Sequence, residues 1–134
     1  MAVKRIVVHC VDIEDKPGSL QKFLSQSSLS GVDFLYFSAF SCGNNRSRAF
    51  VSAKNPKKFE DFAREAGLKT TVAAGFIIDD KDRIGAAADA LLGIAEKEIS
   101  GLVGSAMVRD GKYQMFVAVK AEDGDRAQKA LSQK

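Results

Sequence analysis

Short apolar runs alternate with amphipathic stretches along the whole chain. Residues 4–13 place Ile6, Val8 and Cys10 on one side and Val7, His9 and Val11 on the other, a strand with two mostly apolar faces. Leu20, Phe23, Leu24 and Ser27 then recur at helical spacing, which predicts a helix from about Pro17 to Leu29 that stops at Ser30-Gly31. Val32 to Ser41 is a second strand, apolar on both faces. Gly43-Asn44-Asn45 is a turn and Arg46 to Ala53 a third strand, so residues 32–53 form a hairpin. Asn55-Pro56 opens a helix with Phe59, Phe62, Ala63 and Ala66 as its inner stripe, and Gly67 stops it.

The pattern then starts again. Residues 70–79 form a strand, and a helix from about Arg83 to Lys97 carries Ile84, Ala87, Ala88, Leu91, Leu92 and Ala95 on one side. Ile99 to Val108 and Lys112 to Ala121 pair around the Asp110-Gly111 turn. A short helix from Asp123 to Ser132, with Ala127, Ala130 and Leu131 facing in, closes the chain. Both halves read β-α-β-β-α. Asp15-Lys16-Pro17-Gly18 falls on Asp82-Arg83-Ile84-Gly85, and Ala49–Lys54 falls on Met115–Lys120, at nearly one offset, as a duplication would leave them. The expected units are 1–68 and 69–134, α+β and ferredoxin-like, with antiparallel sheets and helices on one face. Each half lacks a complete strand set of its own. The second repeat therefore borrows the N-terminal strand, or strands are shared or exchanged between the halves.

The stretch Asp15-Lys16-Pro17-Gly18-Ser19-Leu20 is where chemistry is expected. Pro17 suits the first helical turn, where a missing N–H costs nothing. Gly18 has no Cβ, so another molecule can come close to the backbone. The unpaired N–H groups of that turn favour a carboxylate or phosphate. An ordinary capped turn reads the same way locally.

Composition adds limits. The 134 residues are 46% hydrophobic, enough for a real core. The formal net charge is only +3, with acids interspersed among the bases, which argues against a nucleic-acid surface. No apolar run reaches membrane-spanning length and no leader is visible, so a soluble, cytoplasmic protein is expected. Cys10 and Cys42 lie in strand-like runs outside any C-x-x-C and read as buried, inert thiols.

Asp-x-Pro-Gly-x-Leu between strand and helix, with Gly31-Val32-Asp33 opening the next strand, resembles the ACT domain, and the second half resembles it more weakly. The resemblance covers nearly the whole chain, as in small proteins made only of tandem ACT domains. It implies a regulatory module; no cofactor is expected, and the absence of catalytic motifs leads to the expectation of a non-enzyme. Its ligand is an amino acid held at an interface between two copies, by the strand-helix loop and the start of the second strand. On that resemblance the contacts are Asp15, Lys16, Pro17, Gly18, Ser19, Leu20, Asp33 and Phe34. Asp82, Arg83, Gly85 and Ser100 are their counterparts, although Ile84 replaces the proline and Glu98 replaces Gly31. The implied partners are a regulated enzyme or transcription factor, and a second copy of the chain. A zwitterion suits such a site, its carboxylate at the helix start and its ammonium at Asp15 or Asp33.

Other features point to nothing stronger. His9 has no acid or nucleophile at a recognisable spacing and reads as packed. Asp79-Asp80-Lys81-Asp82 lacks the calcium-loop pattern. Gly101-Leu102-Val103-Gly104 lies inside a predicted strand, where close sheet contact explains it. Phosphate-loop, nucleophile-elbow and zincin motifs are absent. Two alternatives stay open: an RNA-binding sheet displaying Phe34, Tyr36, Phe37 and Phe40, and an interaction domain with no ligand. The strand Val32–Ser41 is too apolar for a free edge, so pairing with Ile99–Val108 is expected. The sheet face of Val7, His9 and Val11 is expected to meet a second copy.

Overall fold

The structure, a computed structural model, describes residues 1–132. Its elements are β1 (Ala2–Glu14), α1 (Ser19–Leu29), β2 (Phe34–Gly43), β3 (Arg46–Ala53), α2 (Pro56–Glu65), β4 (Thr70–Lys81), α3 (Ala86–Glu96), β5 (Gly101–Arg109), β6 (Lys112–Lys120) and α4 (Gly124–Ser132), the last preceded by a 3-10 turn at Ala121–Asp123. This is an α+β chain in which β-α-β-β-α occurs twice. No described helix is long and apolar enough to cross a membrane. The chain divides into two compact units, Val7–Val72, and Met1–Ile6 with Ala73 onward, so β1 and β4 each contribute to both.

In the Val7–Val72 unit, β3 lies between β2 and β1 and pairs antiparallel with both, with Val51 opposite His9 and Phe37. The hairpin closes at Asn44 and Asn45, with φ of 54° and 58°. Two successive left-handed residues match the twist of the flanking strands, and asparagine tolerates that conformation better than most residues. Val11, Ile13, Ala49 and Val51 form the sheet side of the core, and Phe23, Phe59, Phe62 and Ala63 the helix side. The ring of Phe23 lies 6.0–6.4 Å from those of Phe34, Phe37, Phe59 and Phe62. The Asn55 side chain accepts the Lys58 N–H at the start of α2, with Pro56 in the first turn.

In the other unit, β6 lies between β4 and β5, with Val117 opposite Phe76 and Gly104. Ala74, Phe76, Ile78, Met115, Val117 and Val119 pack beneath Ala90 and Ile94 of α3 and Ala127 and Leu131 of α4. Arg5 spans from β1 to α4, bonding Asp125 at 2.7 Å and Gln128 at 2.9 Å, with its guanidinium 6.0 Å from the Phe76 ring centroid.

Several expectations need correction. Helix α1 starts at Ser19, with Gly18 as a left-handed N-cap, so Pro17 precedes the helix instead of opening it. Leu20 and Ala66 are exposed. The buried line of α3 is Ala86, Ala90, Gly93 and Ile94; Ile84, Ala87, Ala88, Leu92 and Ala95 are exposed and Leu91 is half-buried. A helix apolar nearly all round has no face that periodicity can choose, and its small residues are the ones that approach the sheet. Strand β2 pairs with β3 and β5 with β6, so the expected β2–β5 pairing is absent among the described residues. His9 and Val11 are buried under helices, His9 against Phe59 at 5.1 Å between rings, so they present no outer face. Cys10 is half-buried but Cys42 is exposed.

Candidate ligand-binding site

The end of β1 is tied to the tip of the β2–β3 hairpin. The Asp15 N–H donates to the Asn45 carbonyl at 2.8 Å, and the Asp15 carboxylate accepts a 2.6 Å bond from the Ser41 hydroxyl. The chain then turns through Gly18, whose φ is 84°. A Cβ there would meet nothing within 4 Å, so glycine is required by the backbone conformation and the space around it is open. The Ser19 N–H donates to the Lys16 carbonyl at 3.0 Å and the Lys22 N–H to the Gly18 carbonyl at 2.9 Å. Between them, the N–H groups of Leu20 and Gln21 belong to the set for which a helix start supplies no intrahelical acceptor, at the positive end of its dipole.

These elements enclose a cleft of about 220 Å³. Its wall includes Glu14, Asp15, Lys16, Ser19 and Leu20 of the turn, Ala39, Phe40 and Ser41 of β2, and Ser47 of β3. Two carboxylates, one ammonium and three hydroxyls therefore surround a small cavity. Lys16 Nζ lies 2.8 Å from Glu14 Oε1. That hydrogen bond, with the accompanying charge attraction, lowers the Glu14 carboxyl below its usual range and raises the Lys16 ammonium. Both groups are exposed, so water screens the pair and it is available to exchange partners.

The structure gathers Asp15, Lys16, Ser19 and Leu20 in this cleft, with Pro17 and Gly18 completing the turn beside it. It does not bring Asp33 and Phe34 there. Asp33 pairs with Lys54 at 2.7 Å, while Phe34 packs on Phe23, Phe37 and Phe59. Phe34 lies opposite Ala53 and Gly43 opposite Arg46. The two groups of residues thus sit at opposite ends of the ladder, roughly 23 Å apart at about 3.3 Å per strand residue. A single amino acid cannot touch both within one unit.

The other unit repeats this backbone. Asp82 N–H donates to Gly111 O at 3.0 Å, Ala86 N–H to Arg83 O at 3.2 Å and Asp89 N–H to Gly85 O at 3.0 Å, and Gly85 has φ 86°. At the helix end Glu98 takes φ 57° where Gly31 has 79°, and both ends close with matching bonds, Ile99 N–H to Ile94 O and Val32 N–H to Ser27 O. Neither Ile84 nor Glu98 has altered the backbone. What differs is the lining. Ser19 becomes Ala86, and the facing pair Ser41–Ser47 becomes Val108–Tyr113. Tyr113 is 5% exposed, and its hydroxyl has no partner among the described residues. Sequence reading missed this difference, although aligning the two hairpins on their turns would have exposed it. Arg83 is held by Asp89 at 2.6 Å and lines a separate cleft with Asp80 and Leu92, while Ser100 is exposed just before β5.

The remaining candidates are structural. His9 is 1% exposed and its Nε2 lies 3.2 Å from Glu60 Oε2. Burial pushes the Cys10 thiol up, partly offset by a hydrogen bond with Thr71. No cluster of His, Cys, Asp or Glu suited to a metal ion occurs among the described residues.

No protein-family profile matches this chain, and neither does any curated protein sequence. Solved structures do. Protein BT0572 from Bacteroides thetaiotaomicron superposes with a TM-score of 0.78 at 10% identity, over 98% of this chain and 89% of that one. The ligand-free regulatory subunit of aspartate kinase from Thermus thermophilus superposes with 0.65 at 16% identity, over 98% and 94%. Aspartate kinase from Clostridium acetobutylicum, an allosteric enzyme, gives 0.66 at 15% identity, over 98% of this chain but 33% of its own. The chain has an ACT-type fold. In this ACT-type chain the strand-helix turn with its left-handed glycine occurs twice; the first borders the cleft of Asp15, Lys16 and Ser41, and the second a cleft lined by Asp80, Arg83 and Asp89.

Proposed function

We propose that this chain is a regulatory binding protein that takes a small amino acid in the Asp15–Leu20 cleft. The observation that carries the reading is the convergence there of opposite charges and a helix start. The ligand carboxylate meets the Leu20 and Gln21 N–H groups and Lys16, and its ammonium meets Asp15 or Glu14. Ser41 and Ser47 face a short polar side chain. The volume lies below the range of about 300–1,000 Å³ typical of drug-sized ligands. Asp33 and Phe34 join the site only if a second copy supplies them, as the expected interface location requires. The fold shared with an aspartate kinase regulatory subunit supports a regulatory role, with an enzyme or transcription factor as the target. Of the aromatics that an RNA-binding sheet would display, Phe34 and Phe37 pack against Phe23, while Phe40 stacks on Phe50 and stays 47% exposed in the cleft wall.

The test is a thermal-shift panel of the twenty amino acids. A true ligand at 100 times its Kd adds about 2.7 kcal/mol of stability. The shift is expected to vanish in Asp15→Asn and Gly18→Val variants that retain their circular dichroism. A panel with no shift in the wild-type chain overturns the reading.

A further inference from the structure

Charge around the first turn is out of balance. Lys16 Nζ lies 2.8 Å from Glu14 Oε1, and Arg46 stands opposite Glu14 across the β1–β3 ladder. Lys22 follows on α1, its N–H bonded to the Gly18 carbonyl at 2.9 Å. The Glu14 carboxyl is held below its usual range by the Lys16 hydrogen bond and charge first, and by the charges of Arg46 and Lys22 after it. Three cations therefore act on one carboxylate. Neither Lys22 nor Arg46 has an ion-pair partner of its own among the described residues. The other acid of the turn, Asp15, is engaged by the Ser41 hydroxyl, and nearby Arg48 is matched by Asp12 at 3.3 Å. Lys16, Lys22 and Arg46 thus outnumber Glu14 and Asp15 by one charge, and the helix start adds a partial positive charge of its own.

The other unit shows how a helix can satisfy the cation of such a turn. The bonds Ala86 N–H to Arg83 O and Asp89 N–H to Gly85 O repeat those of Ser19 to Lys16 and Lys22 to Gly18, so Arg83 corresponds to Lys16 and Asp89 to Lys22. There α3 supplies an acid, and Asp89 holds Arg83 at 2.6 Å. At the same backbone position α1 supplies a second cation, and Lys16 pairs with the strand residue Glu14 instead.

A neutral zwitterion leaves the positive surplus as it stands, because its two charges cancel. An amino acid with a second carboxylate carries one net negative charge and removes it. We infer that the ligand class of this cleft is the acidic amino acids, whose side-chain carboxylate takes Lys16 from Glu14 and lies in the field of Lys22 and Arg46. The inference rests on the amino-acid reading of the cleft and narrows it. The ligand's α-carboxylate and ammonium keep their places at the helix start and Asp15. Lys16 has three donors, enough to serve both carboxylates. Glu14 is exposed, so water receives it at little cost when Lys16 leaves.

Calorimetric titration of the full chain with L-aspartate, L-glutamate, L-asparagine and L-glutamine tests it, since the amides keep the shape of the acids and lose the charge. One acid is expected to bind at least about tenfold tighter than its amide, the scale of a charge-assisted hydrogen bond. That preference is expected to shrink as sodium chloride rises from about 20 to about 500 mM. Lys22→Gln and Arg46→Gln, both at exposed positions outside the cleft wall, are each expected to cut the preference about threefold without moving the affinity for the amide. Glu14→Gln, which removes the competitor for Lys16, is expected to tighten the acid. A merely structural role would move acid and amide together. Amides that bind as tightly as the acids, or a preference undiminished in both the Lys22 and Arg46 variants, overturn the inference and leave the cleft reading standing. No binding by any of the twenty amino acids overturns the cleft reading, and the inference falls with it.

Discussion

At the scale of single residues, backbone conformation and burial separate positions that the sequence treats alike. Gly18 and Glu98 both occupy the left-handed region, at φ 84° and 57°, but only one is glycine. A side chain there costs about 1–2 kcal/mol, and glycine's extra unfolded freedom takes back up to about 1 kcal/mol. Glu98→Gly should therefore stabilise the chain by up to about 1 kcal/mol, and Gly18→Ala should destabilise it by about 1 kcal/mol, both read from urea midpoints. The two cysteines differ in another way. Burial raises the Cys10 thiol, so at pH 8 less of it is thiolate, whereas Cys42 is exposed. Alkylation at pH 8 followed by mass spectrometry should modify Cys42 first. Removing the lowering hydrogen bond with Thr71→Val should slow Cys10 further. Equal rates for both thiols would contradict this placement. Their difference was not legible in the sequence, because strand-like runs surround both.

At the scale of elements, legibility followed the strength of local chemistry. The third strand was readable to the residue, because Asn44-Asn45 fixes the turn before it and the cap at Asn55-Pro56 fixes the helix after it. The phenylalanine stripe of α2 was readable because charged residues mark its other face. The start of α1 was misplaced because proline is equally at home in the first turn and just before a left-handed cap. The face of α3 was invisible to periodicity, since alanine and leucine occur on both sides. That face can be checked directly. Ala90 is 2% exposed against the sheet, and Ala88 is exposed. Ala90→Leu should overpack the core and cost about 1–3 kcal/mol. Ala88→Leu should leave the monomer's stability within about 0.5 kcal/mol. Equal penalties in chemical denaturation would return the buried face to the side that periodicity first suggested.

At the scale of the whole molecule, one backbone arrangement occurs twice, and the clefts beside its two turns are lined differently. The turn residues alone predicted two related sites, with the second weakened at Ile84 and Glu98. The hairpin adds a further difference, where hydrogen-bonding Ser41 and facing Ser47 give way to Val108 and a buried Tyr113. Such a difference depends on cross-strand register, which a scan for turn motifs does not reach. Under the proposed function, the second turn lacks the two serine hydroxyls that the first offers to a ligand. Calorimetric titration with the amino acid found in the stability panel should then give one site per chain, and Asp15→Asn should remove it. Asp82→Asn should leave the affinity within a factor of two. Shortening Tyr113 alone deletes a buried ring and costs about 3–5 kcal/mol by analogy with large-to-alanine substitutions. Ligand stoichiometry is therefore best read on the wild-type chain and the two aspartate variants, which leave the core intact. Two equal sites in the wild-type chain would show that the second turn binds despite Tyr113. Loss of binding in Asp82→Asn with Asp15→Asn unaffected would place the ligand at the wrong turn altogether.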